Sequence, residues 1–430
     1  MRNNISYTVS NKLCTGCGVC EEVCPKHCIR IKCIDKEYRP VVDVQYCLGE
    51  KCGRCLKVCP GIGIALRNKS RELFQDSNVK DDKYIGIYIS LYTGYSKDAD
   101  IRFHSASGGM VSQFLIFLLE KKIIDGALVT GFADDHITPV SYIARTKEEV
   151  IAARSSKYCP VSLNNVGNEI IKAKGRFIIV GLPCHIQGFR KRAEIDRQFR
   201  ENVIGYFAIY CSSNRSFNAR DYLIKSYHIK KDDISYFAFR DEGCLGCMKI
   251  LTKTTKETKI PYTQYYGRLR SYFKPHRCLT CIDHYGELAD VCFGDIHIKP
   301  YSDDTIGVSS WIVRSVFWDN LFLQAALEGY IKMDSLEPAV LNRSQAEMLF
   351  PNKRRAKAVM NIDKLLGRDV AKYDINLDNP NLLDYVKIIV CHMQRFVGRR
   401  PYLWFIINLI DKSINYYGRT LFKIRGYKLW

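Results

Sequence analysis

At 430 residues the chain is too long for a single hydrophobic core, and its 47% hydrophobic content is that of a globular protein rather than a disordered one. The formal charge of +20 disfavours nothing by itself, but the Lys and Arg residues are dispersed, with no helix-turn-helix, finger or aromatic RNA platform, so no nucleic-acid partner is expected. Nineteen cysteines behind a start without a signal-peptide pattern point to a reducing cytoplasm and metal use rather than disulfides, and the longest apolar run near the C-terminus, Tyr402 to Ile407, is too short to span a bilayer.

Two cysteine runs open the chain: Cys14, Cys17, Cys20 and Cys24-Pro25, then Cys47, Cys52, Cys55 and Cys59-Pro60. The first has the C-x₂-C-x₂-C-x₃-C-P spacing of bacterial 4Fe–4S ligation, in which the fourth cysteine serves the other cluster. Cys14, Cys17, Cys20 and Cys59 are therefore expected to hold one cluster, and Cys47, Cys52, Cys55 and Cys24 the second. Three thiolates on a tight, glycine-bearing loop can face three irons of one cube, and the following proline stops the chain from continuing as helix. Zinc sites and disulfides fit two interleaved quartets poorly. The second run opens with a spacer two residues longer than the repeat (Leu48 to Lys51), and Cys28 and Cys33 read as small buried thiols. Residues 1–75 form this α+β ferredoxin-type domain. Its 13 Lys or Arg against 7 acidic residues favour encounter with an acidic partner, a separate ferredoxin above all.

Residues 67–83 are polar and read as a linker. Ile85 to Tyr92 is an expected strand, His104 to Gly109 a Ser/Gly turn, Met110 to Leu119 a buried helix, and Asp125 to Gly131 the next strand, together a βαβ-like unit. Ser107 is the expected N-cap, and Gly108-Gly109 would let a ligand approach the positive helix end; a capped helix with no ligand is the plainer alternative. Phe177 to Gly181 is an apolar strand leading to Leu182-Pro183-Cys184-His185 and a helix through Arg192. Cys184 there is a nucleophile, a cluster ligand or a packed thiol. Val203 to Tyr210 is a strand ending at Cys211. Both cysteines follow apolar strands, so both are expected at the carboxyl edge of one sheet, where Cys278 and Cys281 from a later loop would complete four thiolates. Cys244 and Cys247 read first as structural thiols, Cys159 and Cys391 as core residues. Gly61-Ile62-Gly63 is too short for a dinucleotide fingerprint, and no Walker loop occurs.

Toward the C-terminus, Leu382, Leu383, Val386, Ile389, Val390, Met393, Phe396 and Val397 fall on one helical face; Gly398 to Pro401 breaks it, and Leu403, Ile406, Leu409, Ile410 and Ile414 make a second stripe. Residues 351–430 hold 16 Lys or Arg against 6 Asp. A basic helical extension over 346–430 follows, expected to pack on the core; an anionic lipid surface at the inner membrane face, or a membrane-bound partner, is the sharper alternative.

From about Ile85 to Ser344 the chain resembles the coenzyme F-420 hydrogenase/dehydrogenase β-subunit family. The resemblance rests on Ser105-Ala106-Ser107-Gly108-Gly109, Ser156-Lys157-Tyr158, Gly181-Leu182-Pro183-Cys184, Cys211, Phe239-Arg240-Asp241, Cys278-x₂-Cys281, Ala289-Asp290 and Gly294-Asp295. It implies an α/β core, in two parts over 84–168 and 169–345, that binds FAD beside a 4Fe–4S cluster. It makes Cys184, Cys211, Cys278 and Cys281 the ligands of a third cluster, and Ser105, Ser107, Gly108, Gly109, Lys157 and Tyr158 the flavin contacts. His185 stands where the family often has Gln, and Cys292 where it often has Ser. His104 and His185 are the candidate proton donors. The implied activity is transfer of electrons between ferredoxin-type clusters, the flavin and a deazaflavin (coenzyme F-420) or other organic substrate; some relatives are encoded with surface-polysaccharide enzymes. The alternatives are an electron-transfer β subunit without a substrate of its own, and a scaffold with structural clusters.

Overall fold

The computed structural model describes residues 3–411. Its core is an eight-stranded mixed sheet built from Ser90–Ser96 (β1), Gly126–Phe132 (β2), Pro139–Ala144 (β3), Phe177–Gly181 (β4), Val203–Ile209 (β5), Val291–Asp295 (β6), Ser309–Val313 (β7) and Ile331–Ser335 (β8). The spatial order is β8-β1-β7-β6-β5-β4-β2-β3. The four central strands, β6, β5, β4 and β2, are mutually parallel, and antiparallel strands flank them on both sides. A parallel strand is covered on both faces, so it reads as an unbroken apolar run, and Phe177 to Val180 is one. Alternation splits that run between two cores: Phe177 and Ile179 join one, Ile178 and Val180 the other. Helix Met110–Glu120 covers one face with Phe114 stacked on Phe322 at 3.7 Å, and helix Pro183–Ile195 covers the other through Ile186 and Phe189.

Several local expectations differ. The strand expected over 85–92 is broken into Gly86–Tyr88, which pairs with Lys80–Asp82, and β1, which belongs to the main sheet. Segment 67–83 is no free linker. It holds the helix Leu66–Leu73, and its polar residues have folded partners: Arg67 reaches the buried Glu287 at 3.2 Å and Asp81 at 3.1 Å. The N-cap of Met110–Glu120 is Gly109, at φ +76, rather than Ser107, whose hydroxyl donates to the Val308 carbonyl. A left-handed cap is glycine's role, and it leaves Ser107 free to stitch the turn to the neighbouring strand.

The ferredoxin-type region, with its hairpin Ile29–Ile34/Glu37–Val42, packs directly on the sheet's helical layer. Helix Val19–Glu22 meets helix Pro183–Ile195, where a Cβ on Gly188 would come within 3.1 Å of Val19 and 3.6 Å of the Cys17 sulfur. Glu22 and Arg192 form a buried ion pair across this contact, and Glu22 also accepts from the Gly167 amide at 2.7 Å. The C-terminal extension holds the region from the other side. Lys372–Tyr373 adds a short parallel strand to Gly63–Ile64, where a Cβ on Gly63 would stand 2.0 Å from the Lys372 carbonyl oxygen.

Helices Ala346–Leu365 and Leu382–Gly398 pack together as a pair. The apolar stripe of the second, expected to face the core, instead faces outward. Asp384, Ile388, Cys391, Arg395 and Gly398 form the packed side, and Gly398 sits so close to the Tyr272 carbonyl that a Cβ would stand 2.0 Å from it. In the helical segment 404–411 that follows, Trp404 and Ile407 are buried while Leu409 and Ile410 are exposed; Ile414 lies outside the described residues.

Candidate functional site

The cysteines gather in three groups. Cys14, Cys17, Cys20 and Cys59 are mutual neighbours, all buried; desolvation first and the neighbouring thiols after it push up Cys17 to about 11, Cys59 to about 12 and Cys20 well above the ordinary thiol value. Cys24, Cys47, Cys52 and Cys55 line a second, outer cavity. Cys28, read as a bystander, lines it too, with its sulfur 3.5 Å from that of Cys24. Cys47 and Cys52 are partly exposed, so this cavity lies nearer solvent.

The third group is assembled by the sheet. β4 and β5 are adjacent and parallel, so Cys184 and Cys211, which follow them, emerge at the same edge. The short helix His276–Leu279 brings Cys278 and Cys281 to face them, and all four line one cavity. Burial, then the neighbouring thiols, raises Cys184 and Cys211 far above the ordinary thiol value. Four such groups can be thiolates together only around a cation, which suits iron bound at the centre. Arg39 and Arg277 line the same cavity and offset negative charge; sequence spacing gave no signal for either. The Asn214 amide points to the Cys278 sulfur at 3.4 Å. Cys14, Thr15 and Gly16 of the first group's loop complete the wall, which puts the first and third groups side by side. Among the described residues, no three His, Cys, Asp or Glu side chains close on a single ion.

Beyond this cavity is a cleft of about 210 Å³, and Val161, Leu182 and His185 line both. One end of the cleft is the N-terminus of helix Met110–Glu120, with Met110, Val111 and Ser112 at its lip, where unpaired amides and the helix dipole favour an oxyanion. The buried Ser105 hydroxyl in the cleft wall has no hydrogen-bond partner among the described residues. Leu115, Val129, Val180 and Phe293 supply apolar walls. A flat aromatic ligand carrying phosphate fits this chemistry.

Of the residues expected to touch a flavin, Ser105, Ser107, Gly109 and Lys157 line the cleft. Gly108 does not: a Cβ there would meet the Gly94 carbonyl and the Ser309 amide, so its place is strand packing. Tyr158 turns away into an aromatic cluster with Phe239, Tyr262 and Tyr266. Lys157 donates to the carbonyls of Ala153 and Arg154 at 2.7 Å and of Ser155 at 3.1 Å, and burial pushes its ammonium down to about 7.

Neither histidine stands ready to give a proton in the cleft. His104 faces outside it, its Nδ1 2.6 Å from the buried Asp241 carboxylate. His185 does lie in the shared wall, but its Nδ1 accepts from the Leu182 amide at 3.2 Å and its other nitrogen donates to the Val161 carbonyl. Burial lowers it to about 4, so it is a neutral ring with both nitrogens occupied. A charged pair was missed: Asp295, at the end of β6, lines the cleft and is held by Arg240 at 2.5 Å. Burial opposes ionisation of Asp295, yet Arg240 keeps it below the usual carboxylate value. The Phe239-Arg240-Asp241 and Gly294-Asp295 segments contain both residues, but only the fold pairs them.

Residues 91–167 match the family described as coenzyme F420 hydrogenase/dehydrogenase, beta subunit N-term, residues 174–339 its C-terminus counterpart, and residues 7–30 the 4Fe-4S binding domain. A coenzyme F420-dependent sulfite reductase of Methanocaldococcus jannaschii is 26% identical over 348 residues, covering 77% of this chain and 49% of that protein; the chain thus spans about half its length. The coenzyme F420 hydrogenase subunit beta of Methanosarcina barkeri is 22% identical over 60% of this chain and 85% of that one. A chain of the F420-reducing [NiFe] hydrogenase complex from Methanosarcina barkeri superposes with a TM-score of 0.53 at 20% identity, covering 70% of this chain and 99% of that one, a likeness of fold.

Proposed function

Because the chain belongs to the coenzyme F420 hydrogenase/dehydrogenase β-subunit family, with a 4Fe–4S binding domain before it, we propose that it is an iron–sulfur flavoprotein oxidoreductase whose clusters exchange electrons with FAD held in the cleft and, through it, with a deazaflavin or another reducible organic substrate. The observation that carries this reading is the wall of Val161, Leu182 and His185 shared by the four-cysteine cavity and the cleft. FAD would supply the conversion between one-electron cluster chemistry and two-electron hydride chemistry.

The chain's own residues order the path. Cys24, Cys47, Cys52 and Cys55 would hold the outer cluster, the one nearest solvent and an acidic carrier such as ferredoxin. Cys14, Cys17, Cys20 and Cys59 would hold the next one inward, and Cys184, Cys211, Cys278 and Cys281 the last, beside the cleft; the clusters would supply one-electron transfer. The Met110–Ser112 amides would take the pyrophosphate, and Lys157, its three N–H groups already on carbonyls, would offset its charge. His185, neutral and tied at both nitrogens, keeps the wall dry and fixed rather than moving a proton.

Replacing Cys184 by Ser tests the assignment. Anaerobically prepared protein should lose about four of roughly twelve irons while the two N-terminal clusters keep their reduced-state spectra. Iron content unchanged by the substitution would reject the third quartet, and native protein that releases no yellow chromophore on denaturation would reject the flavin. A second reading, a β subunit that passes electrons within a larger complex, is favoured by the relatives named as hydrogenase subunits. Reduction of an organic substrate by the purified chain alone separates the two.

A further inference from the structure

Helix Leu382–Gly398 is charged on its packed side and apolar on its outer side. Asp384, 1% exposed, is paired with Arg354; Arg395, 6% exposed, donates to the Lys274 carbonyl at 2.8 Å and lies 3.3 Å from His276 Nδ1. Opposite them Leu382, Val386, Ile389, Val390, Met393 and Phe396 are all between 47% and 79% exposed. Their three- and four-residue spacing makes them one continuous stripe, and exposed Tyr402, Phe405 and Leu409 lie just beyond it in sequence. A contiguous apolar surface of this kind marks a contact face.

The charges beside the stripe select what covers it. Lys387 is exposed, Arg399 is about half-exposed with its guanidinium 3.3 Å from the buried Glu37 carboxylate, and the Arg400 guanidinium lies 3.5 Å from the centre of the Phe396 ring. The sequence that follows, 412–430, has five Lys or Arg, no acidic residue and five aromatic residues. A second copy would bring another segment of net charge +10 over 351–430 against the first, since 16 basic residues there meet only 6 Asp. The tail 412–430 would likewise lay positive charge on a basic rim. Anionic headgroups above an apolar layer match both features. Among the described residues no helix is long and apolar enough to cross a membrane, so the surface suits lying in an interface.

We propose that helix Leu382–Gly398 and the segment after it dock the protein on an anionic lipid surface, with the Leu382–Phe396 stripe in the acyl boundary and the Lys and Arg side chains among the headgroups. Flotation of the full chain with phosphatidylglycerol–phosphatidylcholine vesicles, against phosphatidylcholine alone, tests this. Binding should require phosphatidylglycerol, weaken as salt rises, and fall at least about tenfold in a Met393→Glu, Phe396→Glu double variant whose iron content and unfolding midpoint are unchanged. Leu327→Glu, at a residue 88% exposed on helix Val316–Leu327, should bind as the native chain does. Absence of flotation at low salt, binding indifferent to the double variant, or a native dimer that the double variant makes monomeric would each overturn the proposal; the last would assign the stripe to a second copy.

Discussion

Lys157 shows how a single side chain can tune the cleft. Its ammonium is satisfied by three carbonyls yet pushed down to about 7 by burial. An anionic ligand prefers the protonated form. Affinity for FAD should therefore be flat below pH about 7 and weaken by up to about tenfold per pH unit above it, until the raised value of the bound state is passed. Fluorescence titration of the deflavinated protein reads this directly, and Lys157→Met should bind more weakly with that slope gone. A native titration without pH dependence would remove Lys157 from the pyrophosphate site. Without a ligand, the same depressed value makes burial of Lys157 a cost to folding that is complete below pH about 7 and fades toward the ordinary lysine value of 10.5. The residue scale is also where sequence reading was weakest. His104 adjoins Ser105 in sequence, but the short helix Ala99–Phe103 ends there and turns the ring to Asp241, away from the cleft that Ser105 lines. Proximity along the chain does not fix the direction of a side chain.

Among the elements, the cysteine runs and the apolar strands β4 and β5 were legible because their spacing is itself the constraint: a cube demands certain intervals, and a doubly covered strand demands an apolar run. The polar stretch 67–83 was not, since its Arg and Asp residues find partners far along the chain, such as Glu287. The stripe of helix Leu382–Gly398 was visible, but periodicity reports that a face exists, not which way it looks. The join between helix Val19–Glu22 and helix Pro183–Ile195 gives a prediction at this scale. Arg192 and Glu22 have side-chain exposures of 2% and 0%, so Arg192→Ala would leave the buried Glu22 carboxylate without its charge partner, held only by the Gly167 amide. The expected loss is about 3–5 kcal/mol of unfolding free energy, with the N-terminal clusters bleached at lower denaturant than the third. A variant as stable as the native chain would show that Glu22 is neutral in the fold.

At the scale of the whole molecule, charge governs encounter. A chain of net charge +20, with an excess of 13 basic over 7 acidic residues in its first 75, attracts an acidic carrier at long range, so reduction by ferredoxin should slow steeply as ionic strength rises. Stopped-flow rates independent of salt would point to an uncharged donor site. Fold and charge thus divide the labour: the mixed sheet sets the inner cavity and the cleft side by side, and on the proposed reading the basic N-terminal region would face the carrier.

The short strand at Gly63–Ile64 and Lys372–Tyr373, with the Glu22–Arg192 contact, fixes the cubes to the sheet at two points instead of hanging them on a flexible arm. With clusters bound as proposed, every internal hop would have a set length that dilution could not change. Passage of a delivered electron to the far end would then be a first-order event with a constant clock, and chance would enter only at the moment of collision with the donor.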